Sequence, residues 1–221
     1  LAVAEIEVYL ETSPKRVFAC AYEWPGYARA GRDEASAIAT LAEYEVRYKP
    51  VAAAAGLMLD AGSAAGLRVL ERIPGDATTA FGAPSKMTDR DLQEPVASEK
   101  DRLLALLSSC WQAFDQVVED SPEELVKGPR GGGRDRTKIV AHVLAAEAGY
   151  SRHLGTKLRE PAPFDVAAIA AHREALTEAL RDADATVRRE PDSKRWPIRY
   201  AVRRLAWHVL DHAWEIEDRR P

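Results

Sequence analysis

The apolar residues of this chain alternate in three stretches before about residue 73, with one helical stretch among them, and keep only helical spacing from residue 95 onward. In the alternating stretches before the break they recur near every second position, which places them on one face of a strand. After it they recur at three and four, which places them along one stripe of a helix. A chain patterned in this way cannot run one kind of secondary structure through its length. The predicted fold class is therefore a small α+β domain over residues 1–73 followed by an all-α domain over 95–221. The stretch between them, "PGDATTAFGAPSKMTDRDLQE" (74–94), carries glycines, prolines and many polar residues and reads as an extended linker, with Phe81 as its candidate anchor.

In the first part, "VAEIEVYLE" (3–11) and "RVFACAYEW" (16–24) alternate well enough for half-buried strands, and "TSPK" between them makes a hairpin turn. "PGY" (25–27) stops the second strand. "RDEASAIATLAEYEVRY" (32–48) sets Ala35, Ile38, Leu41, Ala42 and Glu45 at helical spacing with acidic residues in the first turn, and Pro50 is placed to kink or end that helix. "GLRVLERI" (66–73) is a further strand, giving the order β-β-α-β. On "YEWPGYARAGRDEASAIATLAEYE" this part resembles the HicB-like antitoxin fold, which implies a small antiparallel sheet packed on one helix. Nothing resembles the DNA-binding segment that many such antitoxins append, so the domain is expected to be a structural or small-ligand module.

Four helical blocks follow. The first (95–120) carries Leu103, Leu104, Leu106, Leu107, Trp111, Phe114 and Val118, and ends at "SPEEL". The second (about 135–155) aligns Ile139, His142, Val143, Ala146, Tyr150 and Leu154. The third (about 165–187) aligns Val166, Ile169, Leu176, Leu180 and Val187. The fourth (about 197–219) opens with Pro197, a favoured first-turn residue. Four helices on short or medium loops predict an up-down-up-down bundle.

The formal net charge of -4 argues against a nucleic-acid backbone as the main partner. The two basic stretches, 128–138 and 188–204, read as a glycine loop and a solvated helix edge. Cys20 and Cys110 form no metal or redox spacing, which suits a reducing compartment. There is no apolar run long enough to span a membrane and no leader-like start. The expectation is a cytoplasmic protein whose partner is a small molecule, and a homodimer is compatible with it. The first residue is Leu1 rather than a methionine, so a processed or missing start is expected.

"RLAWHVLDHAWEIEDR" (204–219) sets His208 and His212 one helical turn apart on the stripe of Ala201, Leu205, Val209 and Ile216. Histidine is seldom fully buried without a hydrogen-bond partner or a metal. His142 lies on the inner stripe of the second helical block, and side chains of facing helices converge in a bundle core. Three neutral imidazoles can hold a divalent ion and leave a fourth position open, the arrangement of catalytic rather than structural sites. His153 lies too far along its helix to share that ion, and His172 sits off the stripe of Ile169 and Leu176 and reads as a surface residue. Glu147, rotated roughly 140° from His142, is not a ligand candidate. Trp207 and Trp214 read as packing residues, and Arg204, one turn before His208, as a cation able to hold an acidic group or to pair with a neighbouring helix.

"KIVAHVLAAEAGY" (138–150) and "YAVRRLAWHVLDHAWEIEDR" (200–219) resemble the second and fourth helices of the DinB-like superfamily, which includes the YfiT-like proteins and, more distantly, mycothiol-dependent maleylpyruvate isomerases. The resemblance covers about residues 95–220. It implies a four-helix bundle with His142, His208 and His212 as metal ligands, zinc as the first choice and nickel, manganese or iron as alternatives. It also brings in transfer of a low-molecular-weight thiol, a mycothiol-like cosubstrate, to a small electrophile, with Arg204 and Tyr150 as candidate catalytic-pocket residues. A metal-dependent hydrolase and a non-catalytic metal- or ligand-binding regulatory protein are the other readings.

Overall fold

The computed structural model describes residues 5–60, 64–127, 133–183 and 194–221. Its first part is a four-stranded mixed sheet. β1 (Ile6–Thr12) and β2 (Val17–Ala21) pair antiparallel and close at Thr12 opposite Val17. The turn between them is held by Ser13, whose backbone N–H donates to the Arg16 carbonyl at 2.9 Å. β3 (Ala28–Gly31) adds antiparallel to β2, and β4 (Leu67–Pro74) lies parallel to β1 on its other side, in the order β3-β2-β1-β4.

β3 departs from the expected order. Its four residues, "ARAG", are too short to carry a period, and the strand exists because the turn through Gly26 folds the chain back onto β2. Gly26 has φ +89, and a Cβ there would lie 2.8 Å from Leu210 Cδ1, so the turn presses on the last helix of the chain. The expected single helix over 32–48 is two, α1 (Glu34–Glu43) and α2 (Glu45–Ala54). Asp33 caps α1 by accepting the Ser36 N–H at 2.8 Å. The break comes at Tyr44, whose carbonyl takes the N–H of both Arg47 and Tyr48, and Pro50 lies inside α2 rather than ending it.

The stretch 74–94 is not extended. It contains α3 (Ala77–Phe81), capped by Asp76, and a 3-10 turn (Asp89–Leu92), capped by Thr88. Phe81 does not anchor it, being 88% exposed. Buried polar groups do so instead. The Glu11 carboxylate on β1 accepts the backbone N–H groups of Ser85 and Lys86, each at 3.0 Å, together with the Thr79 hydroxyl. Asp91 accepts the Thr88 N–H at 2.7 Å and pairs with Arg203, whose guanidinium also donates to the Tyr9 hydroxyl.

The rest is helical: α4 (Ala97–Glu119), α5 (Arg136–Ser151), α6 (Val166–Arg181) and α7 (Ile198–Asp218). Parts of three expectations, the glycine loop at 128–132, the end of the third helical block at 184–187 and the basic stretch at 188–193, lie outside the described residues. α7 packs against α4, α5 and α6. Among the described residues no helix is long and apolar enough to cross a membrane.

Both faces of the sheet are covered. Ile6, Val8, Leu10, Val17, Ala19 and Ala21 join a core that continues through Tyr48 and Leu41 into α4, α5 and α7. Tyr9, Phe18 and Cys20 face the other way, onto Trp207 of α7. Cys20 and Cys110 are both buried free thiols, and burial pushes the Cys20 thiol up to about 12.

Arg203 is 8% exposed and Asp91 2% exposed, so each depends on the other for compensation. Asp91→Ala leaves a buried guanidinium without its carboxylate and is expected to lower stability by about 3–5 kcal/mol. Adding Arg203→Met to that variant removes the uncompensated charge and should recover part of the loss. Urea unfolding of the two variants beside the parent checks both statements.

Candidate metal centre

α5 and α7 bring three imidazoles together. His142 stands in the middle of α5, and His208 and His212 stand on successive turns of α7. One ring nitrogen from each lies within 4.8 Å of the others, and among the described residues no fourth His, Cys, Asp or Glu joins the group. His142 Nε2 and His208 Nε2 are 3.3 Å apart, which is about the spacing of two nitrogens at ~2.0–2.1 Å around one tetrahedral zinc. The ring centroids of His142 and His212 are 4.9 Å apart and those of His208 and His212 are 4.7 Å apart, both pairs nearly perpendicular.

The electrostatics work against charge on two of these rings, His208 and His142. Burial and then the two neighbouring imidazoles hold the His208 pKa well below the ordinary histidine value. Burial, His212 and Arg134 lower that of His142. A neutral imidazole offers a lone pair, the form a metal ligand needs. The donor set therefore fits a divalent cation: three imidazole nitrogens on one side, with no further His, Cys, Asp or Glu ligand among the described residues.

His212 is oriented by a residue that the sequence reading missed. Its Nδ1–H donates to the Glu215 carboxylate at 2.7 Å, which leaves Nε2 for the cluster. Glu215 in turn receives Arg219 at 2.8 Å. The His212 hydrogen bond, helped by Arg219 and outweighing the opposing effect of burial, keeps its carboxyl below the usual range and so ionised. The available signal was the spacing H-x-x-E, which puts the two side chains on one helix face. Such carboxylate–histidine pairs fix the tautomer and raise ligand basicity at metal sites.

The pocket residues fall beside the cluster rather than in it. The Tyr150 ring is 6.0 Å from that of His208. Arg204 lies over Tyr150 at 5.6 Å and over Trp207 at 5.0 Å, and donates to the Pro84 carbonyl at 2.7 Å. The expected alternative, an ion pair with a neighbouring helix, is not what its guanidinium makes among the described residues, where it meets a backbone carbonyl of the 74–94 stretch. Trp207 packs edge-on against Phe18, and Trp214 against Tyr44, so both meet the first part of the chain. His153 is apart from the cluster, with Nδ1 2.8 Å from the Lys194 carbonyl and its ring stacked on Trp196.

His172 requires a correction, since it is buried, 6% exposed, rather than at the surface. The stripe of Ile169 and Leu176 is only one of the sides of α6 that are covered. The chain after α5 folds over α6, and the Arg159 carbonyl lies 3.2 Å from His172 Nδ1.

No family model matches the chain, and neither a curated protein nor a solved structure is similar to it.

Removing the orienting carboxylate tests the geometry. Glu215→Ala is expected to weaken zinc binding about 10–100-fold while leaving far-UV circular dichroism unchanged, and His208→Ala should abolish tight binding. Competition against a chromophoric chelator measures both.

Proposed function

We propose that the chain is a metal-dependent enzyme whose centre is the His142–His208–His212 cluster, acting by transfer of a low-molecular-weight thiol to a small electrophile. In this reading α4–α7 form a four-helix bundle of the DinB-like type, and the sheet with α1 and α2 is a HicB-like unit packed beside it. The observation that carries the proposal is the convergence of three buried or half-buried imidazoles from two helices within 4.8 Å, with no fourth ligand among the described residues. Structural zinc sites close all four positions with protein, whereas catalytic ones keep one for water or substrate.

A divalent ion held there, with zinc the first choice, supplies a Lewis acid that stabilises a thiolate or activates a water at neutral pH. The side chains have separable tasks. His142, His208 and His212 bind the ion, and Glu215 holds His212 in its working tautomer. Arg204, propped between the Tyr150 and Trp207 rings, presents a cation beside the cluster that orients an acidic group of the thiol or acceptor. Tyr150 forms the wall between that cation and His208. A second reading, a metal-binding regulatory protein without turnover, is favoured by the fact that Arg204 is already engaged by the Pro84 carbonyl.

The test begins with metal analysis of the purified protein and of its His208→Ala variant, followed by thiol consumption with a panel of small thiols and electrophiles. The expected result is turnover that requires the metal and is lost in His208→Ala. Arg204→Ala should mainly raise KM, because a positioning charge acts on ground and transition states alike. A fully loaded protein that consumes no thiol would exclude the transferase and leave hydrolysis, or binding alone.

A further inference from the structure

Five residues beyond His142, α5 turns a second ionisable side chain into the protein on a different side of the helix. Glu147 is 1% exposed. Its Oε1 accepts the Trp111 indole N–H from α4 at 2.7 Å. Among the described residues its Oε2 meets no hydrogen-bond partner and is cut off from the surface, and the same holds for His172 Nε2 on α6. These two atoms face each other 3.9 Å apart.

Hydrogen-bond chemistry restricts what the pair can be. A carbonyl only accepts, so His172 Nδ1, which meets the Arg159 carbonyl, must carry the N–H. A neutral His172 therefore has a bare lone pair at Nε2. An ionised Glu147 would set a carboxylate oxygen against that lone pair, with neither atom exposed at the surface. One proton resolves the conflict: carried on Oε2, it donates to Nε2 once the two side chains close by about 1 Å, to an ordinary hydrogen-bond distance. Two independent groups from two helices are then satisfied by a single bond.

We propose that Glu147 and His172 share one proton, carried on Glu147 and donated to His172, and that this bond is a pH-sensitive latch holding α6 against α5. The surroundings support a neutral pair. From α4 come the Trp111 N–H and the Asp115 carboxylate, and from α6 comes Arg173, whose guanidinium is paired with Asp115 at 2.6 Å, so the neighbouring charges cancel. The chain after α5 contributes the Arg159 carbonyl. Burial, the largest influence, lifts the Glu147 carboxyl to about 7, and burial likewise lowers the His172 imidazole. The latch is independent of the metal reading, since neither residue belongs to the three-histidine group.

The direction of the pH effect follows from linkage. Glu147 is raised in the folded protein relative to its ordinary value of 4.5, so its contribution to stability is full below pH 4.5 and is lost as pH rises through about 7. His172 is lowered, so its contribution is present above its ordinary value of 6.5 and is lost as pH falls below it. Glu147→Gln separates the two. A glutamine carboxamide accepts from Trp111 and donates N–H to His172 at every pH, while His172 keeps its own dependence.

The experiment compares urea unfolding of the metal-free parent and Glu147→Gln from pH 5 to pH 8. The ratio of folding equilibrium constants, variant over parent, is expected to rise at least ~10-fold across that range. Amide hydrogen exchange in α6 should be faster in the parent than in the variant when both are measured at pH 8. Parallel stability curves would overturn the proposal. If the variant does not fold, the ring nitrogens of His172 in the parent decide by NMR at pH 6: a neutral ring protonated at Nδ1 supports the latch, and an imidazolium or an Nε2–H tautomer refutes it.

Discussion

The buried pair between Arg203 and Asp91 governs where everything else can sit. Arg203 belongs to α7, Asp91 to the 3-10 turn before α4, and the Tyr9 hydroxyl, which also receives Arg203, to β1. One guanidinium thus joins three stretches of chain that are remote in sequence. A charge buried to this degree is tolerated only when its donors are met, so the three parts can dock in one arrangement and few others. Removing the carboxylate would leave the arrangement without its organising contact. The register of α7 against the sheet is set at this point.

That register matters because α7 works on two sides. Arg203, Trp207, Leu210, Asp211 and Trp214 follow one another at helical spacing and meet the first part of the chain: Trp207 lies on Phe18, Leu210 is pressed against Gly26, Asp211 pairs with Arg29 at 2.9 Å, and Trp214 packs on Tyr44. Arg204, His208, His212 and Glu215 form the next stripe, turned toward α5 and its His142. A rotation of α7 sufficient to misplace the histidines would also pull Trp207 and Trp214 off the sheet and α1. The α+β part therefore acts, physically, as the bearing that holds two of the three histidines in position. The 74–94 stretch belongs to the same bearing, since its Pro84 carbonyl holds Arg204 and its backbone N–H groups are held by Glu11.

The histidine cluster and the Glu147–His172 pair follow the same physics with different outcomes. Burial discourages charge on His142, His208, Glu147 and His172, and a buried polar group must then find a partner. In the first case three imidazoles converge, which suits a cation. In the second an acid faces a base, which suits a proton. Each has one member on α5, His142 and Glu147, so one helix takes part in two unlike solutions to the burial of polar side chains.

Several of these features were legible in the residues alone. Periodicity located the hairpin, the last strand to within one residue, and the cores of all four long helices, because burial on one side imposes a spacing on the chain that no tertiary detail is needed to read. The three histidines were legible for the same reason, since imidazoles on apolar stripes of two helices have few places to point. β3 was not, because four residues hold no period and their partner is supplied by a turn pressed against a distant helix. The fold of 74–94 was not, although its caps at Asp76 and Thr88 are local signals, because its anchors are polar and lie on β1 and α7. His172 and Glu215 show the limit most clearly. Spacing along one helix tells which residues share a face, but whether that face is covered depends on what other segments lay over it. The sequence by itself therefore determined the hairpin, the last strand, the four long helices and the candidate ligands. Only the tertiary structure decided the covering of α6, the partner of Glu147 and the orientation of His212, because each depends on groups brought within a few ångströms by packing.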